Sequence, residues 1–221
     1  MLVRGGMRLI RLAAFLVPLA GGCGLYFGEG NSPVQTGDDD GSGNGSGDGS
    51  GDGSGSGTDR NDPSYRRVFV TSEVYAGGAL GGLAGADTIC QSHARAAGYT
   101  GAYRAWLSDT HYSPATRMFH APLDYRLVTG ALVAHGWDDL VDGELYATID
   151  RDELGNVRDV APTCMGSGVW SDTGFDGRKL ATASGYDDSC DHWSDLHATG
   201  MLDNGCAMPC TARAALYCLE Q

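Results

Sequence analysis

The residues with the greatest potential for chemistry lie close together near the C-terminal end. Two aspartates and two histidines fall within seven positions, in the pattern Asp191-His192-x-x-Asp195-x-His197. Imidazoles and carboxylates act as general acids, general bases and metal ligands, so this loop is the candidate centre of a hydrolase. However, His192 and His197 are five residues apart and do not share a helix face as the histidines of H-E-x-x-H do. We therefore expect solvated loop side chains that bind no metal ion.

Nucleophilic chemistry has little support in the sequence. No G-x-S-x-G motif occurs, and the cysteines after the leader are even in number: Cys90, Cys164, Cys190, Cys206, Cys210 and Cys218. In an exported chain such a set predicts three disulfides, among fifteen possible connectivities. Only Cys206-x₃-Cys210 has the close spacing of a zinc site. With no free thiol and no serine elbow, we expect neither enzymatic activity nor a cofactor.

Residues 1–22 have the layout of a signal peptide. Three arginines precede or enter a short apolar stretch, which ends in Leu19-Ala20-Gly21-Gly22-Cys23. Small residues before a cysteine are typical of the lipobox of bacterial lipoproteins, so Cys23 is predicted to become a lipidated N-terminus. The alternative is ordinary cleavage beside an incidental cysteine. Gly24, in place of aspartate, favours the outer membrane, where the protein could face the cell surface.

Residues 23–62 are predicted to be a disordered tether. Gly37 to Gly57 contain only Gly, Ser, Asp and Asn, a composition that cannot bury a core. A flexible linker of this length spans about 35 Å. The Asp-Gly repeats lack the apolar residues and the terminal glutamate of known calcium repeats, so calcium binding is not expected.

Composition and charge exclude two broad classes of protein. The formal net charge is −13 and the sequence pI is near 4.6, which argues against nucleic-acid binding. No apolar stretch after the leader approaches the roughly 18 residues of a membrane span, which excludes a multi-span membrane protein. The charge is also polarised: residues 63–126 have six arginines and four acids, whereas residues 127–221 have five basic and sixteen acidic residues.

The remaining part, residues 63–221, is predicted to be one α+β domain. A helix is expected over 84–97, with small and apolar side chains and His93 on one face and Gly98 as its left-handed end. Alternating or apolar segments predict short strands at 66–72, 103–108, 131–135, 145–149, 168–172 and 215–219. One clear helix among several short strands with long loops between them favours the α+β class.

The motifs of this domain resemble those of endostatin, the C-terminal domain of certain collagens, and even more those of a bacterial endostatin-like lipoprotein family of unknown function. They are Gly81-Gly-Leu-Ala-Gly-Ala-Asp87-x-x-Cys90, Arg104-Ala-Trp-Leu-Ser108, Trp137-Asp138-Asp139-Leu140, Cys190-x-x-Trp193 and Leu216-Tyr217-Cys218, in this order. The resemblance implies a C-type-lectin-like α+β fold with a mixed, strongly twisted sheet and one or two helices.

The resemblance also implies a disulfide pattern. Endostatin nests one bond inside another, which corresponds here to Cys90–Cys218 and Cys190–Cys210. The extra cysteines would then form Cys164–Cys206.

Ligand binding is implied only weakly by the family. Endostatin binds heparin through arginines, and Arg104, Arg178 and Lys179 occupy basic positions of the matching motifs, although the negative net charge opposes a polyanion. Endostatin's zinc histidines lie near the start of its domain, where residues 62–67 here contain none. The Glu-Pro-Asn and Gln-Pro-Asp motifs of calcium-dependent lectins are also missing, so no metal is expected.

These observations predict a lipid-anchored envelope protein that displays a non-catalytic, adhesin-like binding domain. Its partner would be an extracellular or envelope protein or a polysaccharide. Two alternatives stay open: a hydrolase of envelope or extracellular polymer that uses His192 and His197, and a structural envelope protein without a soluble ligand.

Overall fold

The computed structural model of the chain describes residues 62–160, 168–181, 189–203 and 205–221. The expectations for the leader, Cys23, the tether and Cys164 lie outside these residues. The strands are β1 (Arg66–Val70), β2 (Tyr75–Ala76), β3 (Tyr103–Ala105), β4 (Asp124–Leu127), β5 (Leu132–His135), β6 (Val169–Trp170), β7 (Thr199–Met201), β8 (Ala207–Pro209) and β9 (Arg213–Glu220). The right-handed α-helices are α1 (Gly82–Ala96), α2 (Pro114–Arg117) and α3 (Gly136–Leu140); Gly77–Ala79 form a 3-10 turn, and Cys190–Trp193 form one further helical turn.

Strand β9 is the centre of a mixed sheet. Both β1 and β3 pair antiparallel with its C-terminal half, where Cys218 lies opposite Phe69 on one edge and Ala105 on the other. Its N-terminal half pairs antiparallel with β2 and parallel with β6. β1 continues the sheet through a parallel pairing with β4, and β4 pairs antiparallel with β5. β7 and β8 form a separate two-stranded sheet. The α+β class with a mixed sheet and few helices is thereby confirmed.

Helix α1 forms where the sequence predicted it and ends as predicted. Ala86, Cys90 and Ala94 are buried against the sheet, one turn apart on a single face. At its end Gly98 has φ +84° and donates to the Arg95 carbonyl, while Tyr99 N–H donates to the Ala94 carbonyl. This pair of bonds is a Schellman motif, in which the left-handed residue is almost always glycine because a Cβ is disfavoured there.

The core has two main parts on either side of the sheet. The part beneath α1 contains the two largest fully buried side chains, Trp170 and Trp193, whose rings meet edge to face with centroids 5.7 Å apart. The other part packs α3 against β4 and β5 and includes Tyr125, Val133 and Trp137.

Two disulfides join segments that are distant in the chain. Cys90–Cys218 connects α1 to β9 across 128 residues, and Cys190–Cys210 connects the segment before β7 to the residue after β8. Both are the pairs that the family resemblance implies. Of the third predicted pair, Cys164 lies outside the described residues, and Cys206 is itself disulfide-bonded.

The sequence-based elements differ from the structure at several points. The strand expected at 145–149 is wrong: these residues are irregular, and Tyr146 N–H donates a single bond to the Val133 carbonyl. Conversely, α3 and β4 lie in segments for which no helix or strand was predicted. None of the helices in the described ranges is both long and apolar enough to span a bilayer.

Candidate functional site

The main candidate site is built by two loops from distant parts of the chain. One loop follows β3 and contains Asp109 and His111, and the other contains His192. Their ligand-type atoms, one from each side chain, all lie within 4.8 Å of one another. We call Asp109, His111 and His192 the outer cluster.

His192 lies in a left-handed turn. The φ angles of Cys190, Asp191, His192 and Trp193 are +52°, +47°, +57° and +61°. Trp193 N–H donates to the Ser189 carbonyl over 2.6 Å, closing one turn of helix with the rare left-handed sense. Each non-glycine residue in this conformation costs roughly 1–2 kcal/mol. The turn therefore persists only because its surroundings hold it in place.

Tertiary contacts fix the turn from both sides. The Cys190–Cys210 disulfide holds its first residue, and Trp193, its last residue, is fully buried. The backbone after the turn also packs closely against Gly78, since a Cβ there would lie 2.3 Å from the Asp195 carbonyl oxygen. A side chain at Gly78 would thus displace the loop.

A buried hydrogen bond links the two loops. The indole N–H of Trp193 donates to the Ser108 carbonyl over 2.7 Å, in a buried position one residue before Asp109. Ser108 is itself fixed, because its N–H donates to the Ser171 carbonyl and its hydroxyl lies 2.7 Å from that of Thr173. The first loop and the left-handed turn are therefore held in a defined relative position.

Asp109 is the buried anchor of the outer cluster. Its Oδ1 accepts the backbone N–H groups of His111 and Tyr112, each over 2.8 Å, which leaves Oδ2 facing His192. The distance from Oδ2 to His192 Nδ1 is 3.6 Å. The His111 ring stacks on the His192 ring with centroids 5.1 Å apart. His111 is exposed, and 42% of the His192 side chain is accessible to solvent.

The hydroxyl of Thr110 is poorly placed for nucleophilic attack. Its Oγ1 is 3.3 Å from both ring nitrogens of His192. A point equidistant from the two nitrogens lies on the symmetry plane of the imidazole, away from the lone-pair direction of either. A serine-type triad needs the hydroxyl aligned with one nitrogen while the carboxylate holds the other. Asp109, His192 and Thr110 do not have that alignment.

A second histidine–carboxylate group, which we call the inner cluster (Ser72, His93 and Glu153), lies between β1, α1 and the segment after α3. His93 Nδ1 is 2.7 Å from Glu153 Oε1, and His93 Nε2 is 2.8 Å from the Tyr75 hydroxyl. Ser72 donates its hydroxyl to Oε1 and its N–H, over 3.0 Å, to Oε2. The histidine and glutamate side chains are only 11% and 6% exposed.

Hydrogen bonds hold Glu153 of the inner cluster in its ionised form. Burial by itself would raise the pKa of Glu153, but hydrogen bonds from His93 and Ser72 outweigh it and lower the pKa to about 2. Burial, together with the nearby charge of Glu73, raises the pKa of Tyr75 to about 12. Glu153 contacts both the serine and the histidine, so the order of a catalytic triad, in which histidine is the middle member, is not formed. This cluster therefore stabilises the fold by joining β1, α1 and the segment after α3.

Within the residues that the structure describes, the three basic residues proposed from the family resemblance do not form one cluster. Arg104 is exposed, lies 4.0 Å from Asp87 and donates to the Arg117 carbonyl. Lys179 pairs with Asp172, whose side chain is fully buried. Arg178 is exposed.

The two histidines of the predicted hydrolase loop do not lie in one cluster. His192 joins the outer cluster, whereas His197 is exposed and is not part of it. The backbone N–H of His197 donates to Asp195 Oδ1 over 2.8 Å, so Asp195 acts in a local turn. Sequence reasoning missed Asp109 and His111, although an Asp-x-His pair directly after a predicted strand was a usable signal.

Comparison with known proteins gives no family assignment. No protein-family model matches the chain, and no curated protein sequence matches it. The resemblance noted in the sequence therefore stays a prediction.

Proposed function

We propose that this protein is a lipid-anchored component of the bacterial cell envelope that presents a non-catalytic binding domain on a flexible tether. The lipid would be attached to Cys23 in the outer membrane, and residues 63–221 would have a C-type-lectin-like, endostatin-like fold. The ligand would be an extracellular or envelope protein or polysaccharide.

The left-handed turn at Cys190–Trp193 is the observation that supports the binding role in this proposal. Four consecutive non-glycine residues occupy a costly conformation, and a disulfide and a buried tryptophan hold them there. Strain of this kind concentrates at ligand-binding and active sites, where the surrounding structure maintains it. Its effect here is to hold the His192 side chain next to Asp109 and His111 at the surface.

The surface around the turn has the composition of a recognition site. Tyr112 follows His111 directly, is 59% exposed, and its ring centroid lies 6.4 Å from that of His111. Tyrosine is enriched in binding surfaces because its ring buries much area while its hydroxyl stays hydrogen-bonded. A stiff loop that presents a tyrosine and two imidazoles supports binding, and the misaligned Thr110 hydroxyl favours binding over hydrolysis.

Binding is tested with the full chain on an array of polysaccharides, matrix proteins and envelope proteins. We expect saturable binding to one class of ligand, and Tyr112→Ala should weaken it. The matched control is Tyr146→Ala, because Tyr146 is also an exposed tyrosine (65%) but contacts His135 instead of the outer cluster. If both variants lose binding equally, or if the native chain binds no class of ligand, this surface is not the binding site.

The anchor is tested separately by fractionating cells that express the chain. Cys23→Ser should move the protein from the membrane fraction to the soluble fraction, because the acyl chains would have no attachment point. Ser46→Ala in the tether should have no effect. Membrane retention of the Cys23→Ser protein would refute lipidation without affecting the proposal for the domain.

A further inference from the structure

We propose that the outer cluster is a zinc site, with Asp109, His111 and His192 as the protein ligands. This inference concerns the same face as the proposed function, but it is tested without any macromolecular ligand. A failure of one can therefore be distinguished from a failure of the other.

The types of donor select the metal. Two imidazole nitrogens and one carboxylate oxygen suit Zn²⁺, which binds nitrogen and oxygen donors at about 2.0–2.2 Å. Ca²⁺ and Mg²⁺ prefer shells made of oxygen atoms, so a set with two imidazoles disfavours them. Three protein ligands leave the fourth tetrahedral position for water or for an oxygen atom of a bound ligand.

The distances are close to those of a bound tetrahedral ion. Donor atoms around a four-coordinate zinc lie about 3.4 Å apart, given these bond lengths. Asp109 Oδ2 and His192 Nδ1 are already 3.6 Å apart. The full set lies within 4.8 Å, so a small shift of the exposed His111 side chain supplies the remaining contraction. The buried carboxylate and the fixed backbone of the turn need not move.

Hydrogen bonds from neighbouring groups orient the proposed ligands, as they do in known metal sites. The backbone N–H groups of His111 and Tyr112 orient the Asp109 carboxylate through Oδ1 and leave Oδ2 available. Thr110 Oγ1 lies 2.9 Å from His111 Nδ1, where it can accept that N–H and leave Nε2 for the metal. A ligating histidine usually donates its second N–H in this way, which fixes its tautomer.

The test is isothermal titration calorimetry of the metal-stripped full chain in detergent with ZnCl₂, and in parallel with CaCl₂ and MgCl₂. We expect a single zinc ion per chain and a weaker response to the two hard cations. His192→Ala and Asp109→Asn should each weaken zinc binding about tenfold or more. The matched control is His197→Ala. His197 is an exposed histidine of the same loop but does not belong to the outer cluster, so this variant should bind zinc as the native chain does.

Misfolding is separated from ligand loss by a second variant and a second readout. His111→Ala changes an exposed residue whose φ is not positive, so its near-ultraviolet circular dichroism and Tm should match those of the native chain. In the native chain, Co²⁺ should give the intense visible absorption of a tetrahedral site, and His111→Ala should abolish it. Absence of zinc binding by the native chain overturns the proposal. Equal weakening by His197→Ala also overturns it, because it would mark nonspecific binding to surface histidines.

Discussion

The inner and outer clusters use nearly the same side chains in different ways. Each has a histidine beside a buried carboxylate with a hydroxyl close by. In the inner cluster both nitrogens of His93 have partners at 2.7 and 2.8 Å, and 11% of the side chain is exposed. In the outer cluster the corresponding contacts of His192 are 3.3 and 3.6 Å, and 42% of the side chain is exposed.

The difference shows that residue types alone do not identify a functional site. A histidine–carboxylate pair whose hydrogen bonds are all made within the protein contributes stability, because its groups are already satisfied. A pair that is open to solvent and held by strained backbone has capacity left for a ligand. The following predictions ask whether stability resides in the inner cluster and binding in the outer one.

The largest effect is expected from Trp193→Ala, which removes the support of the outer cluster without changing its three ligands. A fully buried tryptophan is lost, so the free energy of unfolding should fall by about 3–5 kcal/mol in denaturant titrations. Trp193→Phe keeps most of the packing but loses the bond to the Ser108 carbonyl, and should cost less. A loss below about 1 kcal/mol for the alanine variant would mean that the turn is held in another way.

Glu153→Gln should weaken the inner cluster and change the acid dependence of stability. Because the pKa of Glu153 is lowered to about 2 in the folded protein, its contribution is fully present above its unfolded pKa, near 4.5, and is lost as the pH falls towards 2. That range corresponds to a contribution on the order of 3 kcal/mol. Unfolding free energies of both proteins, measured from pH 7 to pH 2, should converge at the acid end. Parallel curves would contradict the assignment.

A matched pair of hydroxyl deletions compares the two clusters directly. Tyr75→Phe removes the partner of His93 Nε2 and should cost about 1 kcal/mol, as for a part-buried hydrogen bond. Thr110→Val removes the hydroxyl near His192 at an exposed position and should change stability by less than about 0.5 kcal/mol. Thermal unfolding of the two variants measures both values. The reverse order would contradict the distinction between a structural and an open cluster.

A further test concerns the backbone strain at Asp191, which is exposed within the left-handed turn at φ +47°. Asp191→Gly should be more stable than Asp191→Ala by about 1 kcal/mol, because glycine adopts this conformation without a Cβ penalty. His197→Gly is the control: His197 does not have a positive φ, so glycine there should destabilise relative to alanine. If both positions respond alike, the turn is not strained in solution.

Local patterns in the sequence were sufficient for several elements. Helix α1 was predicted because small apolar residues recur on one face and Gly98 follows them. β1, β5 and β9 were predicted from apolar segments bounded by turn residues. The strand expected at 145–149 is not formed. Its alternating apolar residues are half-buried against the part of the core that contains α3 and β5, but no neighbouring strand among the described residues pairs with this segment. The two nested disulfides came from family resemblance, since spacing alone left fifteen connectivities.

The sequence by itself determined the elements whose hydrogen bonds or apolar faces are local, and it identified His192 as a residue of interest. Only the tertiary structure decided the partners. His192 meets Thr110 across 82 positions, His93 meets Glu153 across 60, and Lys179 meets the buried Asp172 instead of solvent. The physical reason is that helix and strand periodicities report which face of an element is buried, whereas contacts between distant loops depend on how the sheet and the disulfides bring those loops together.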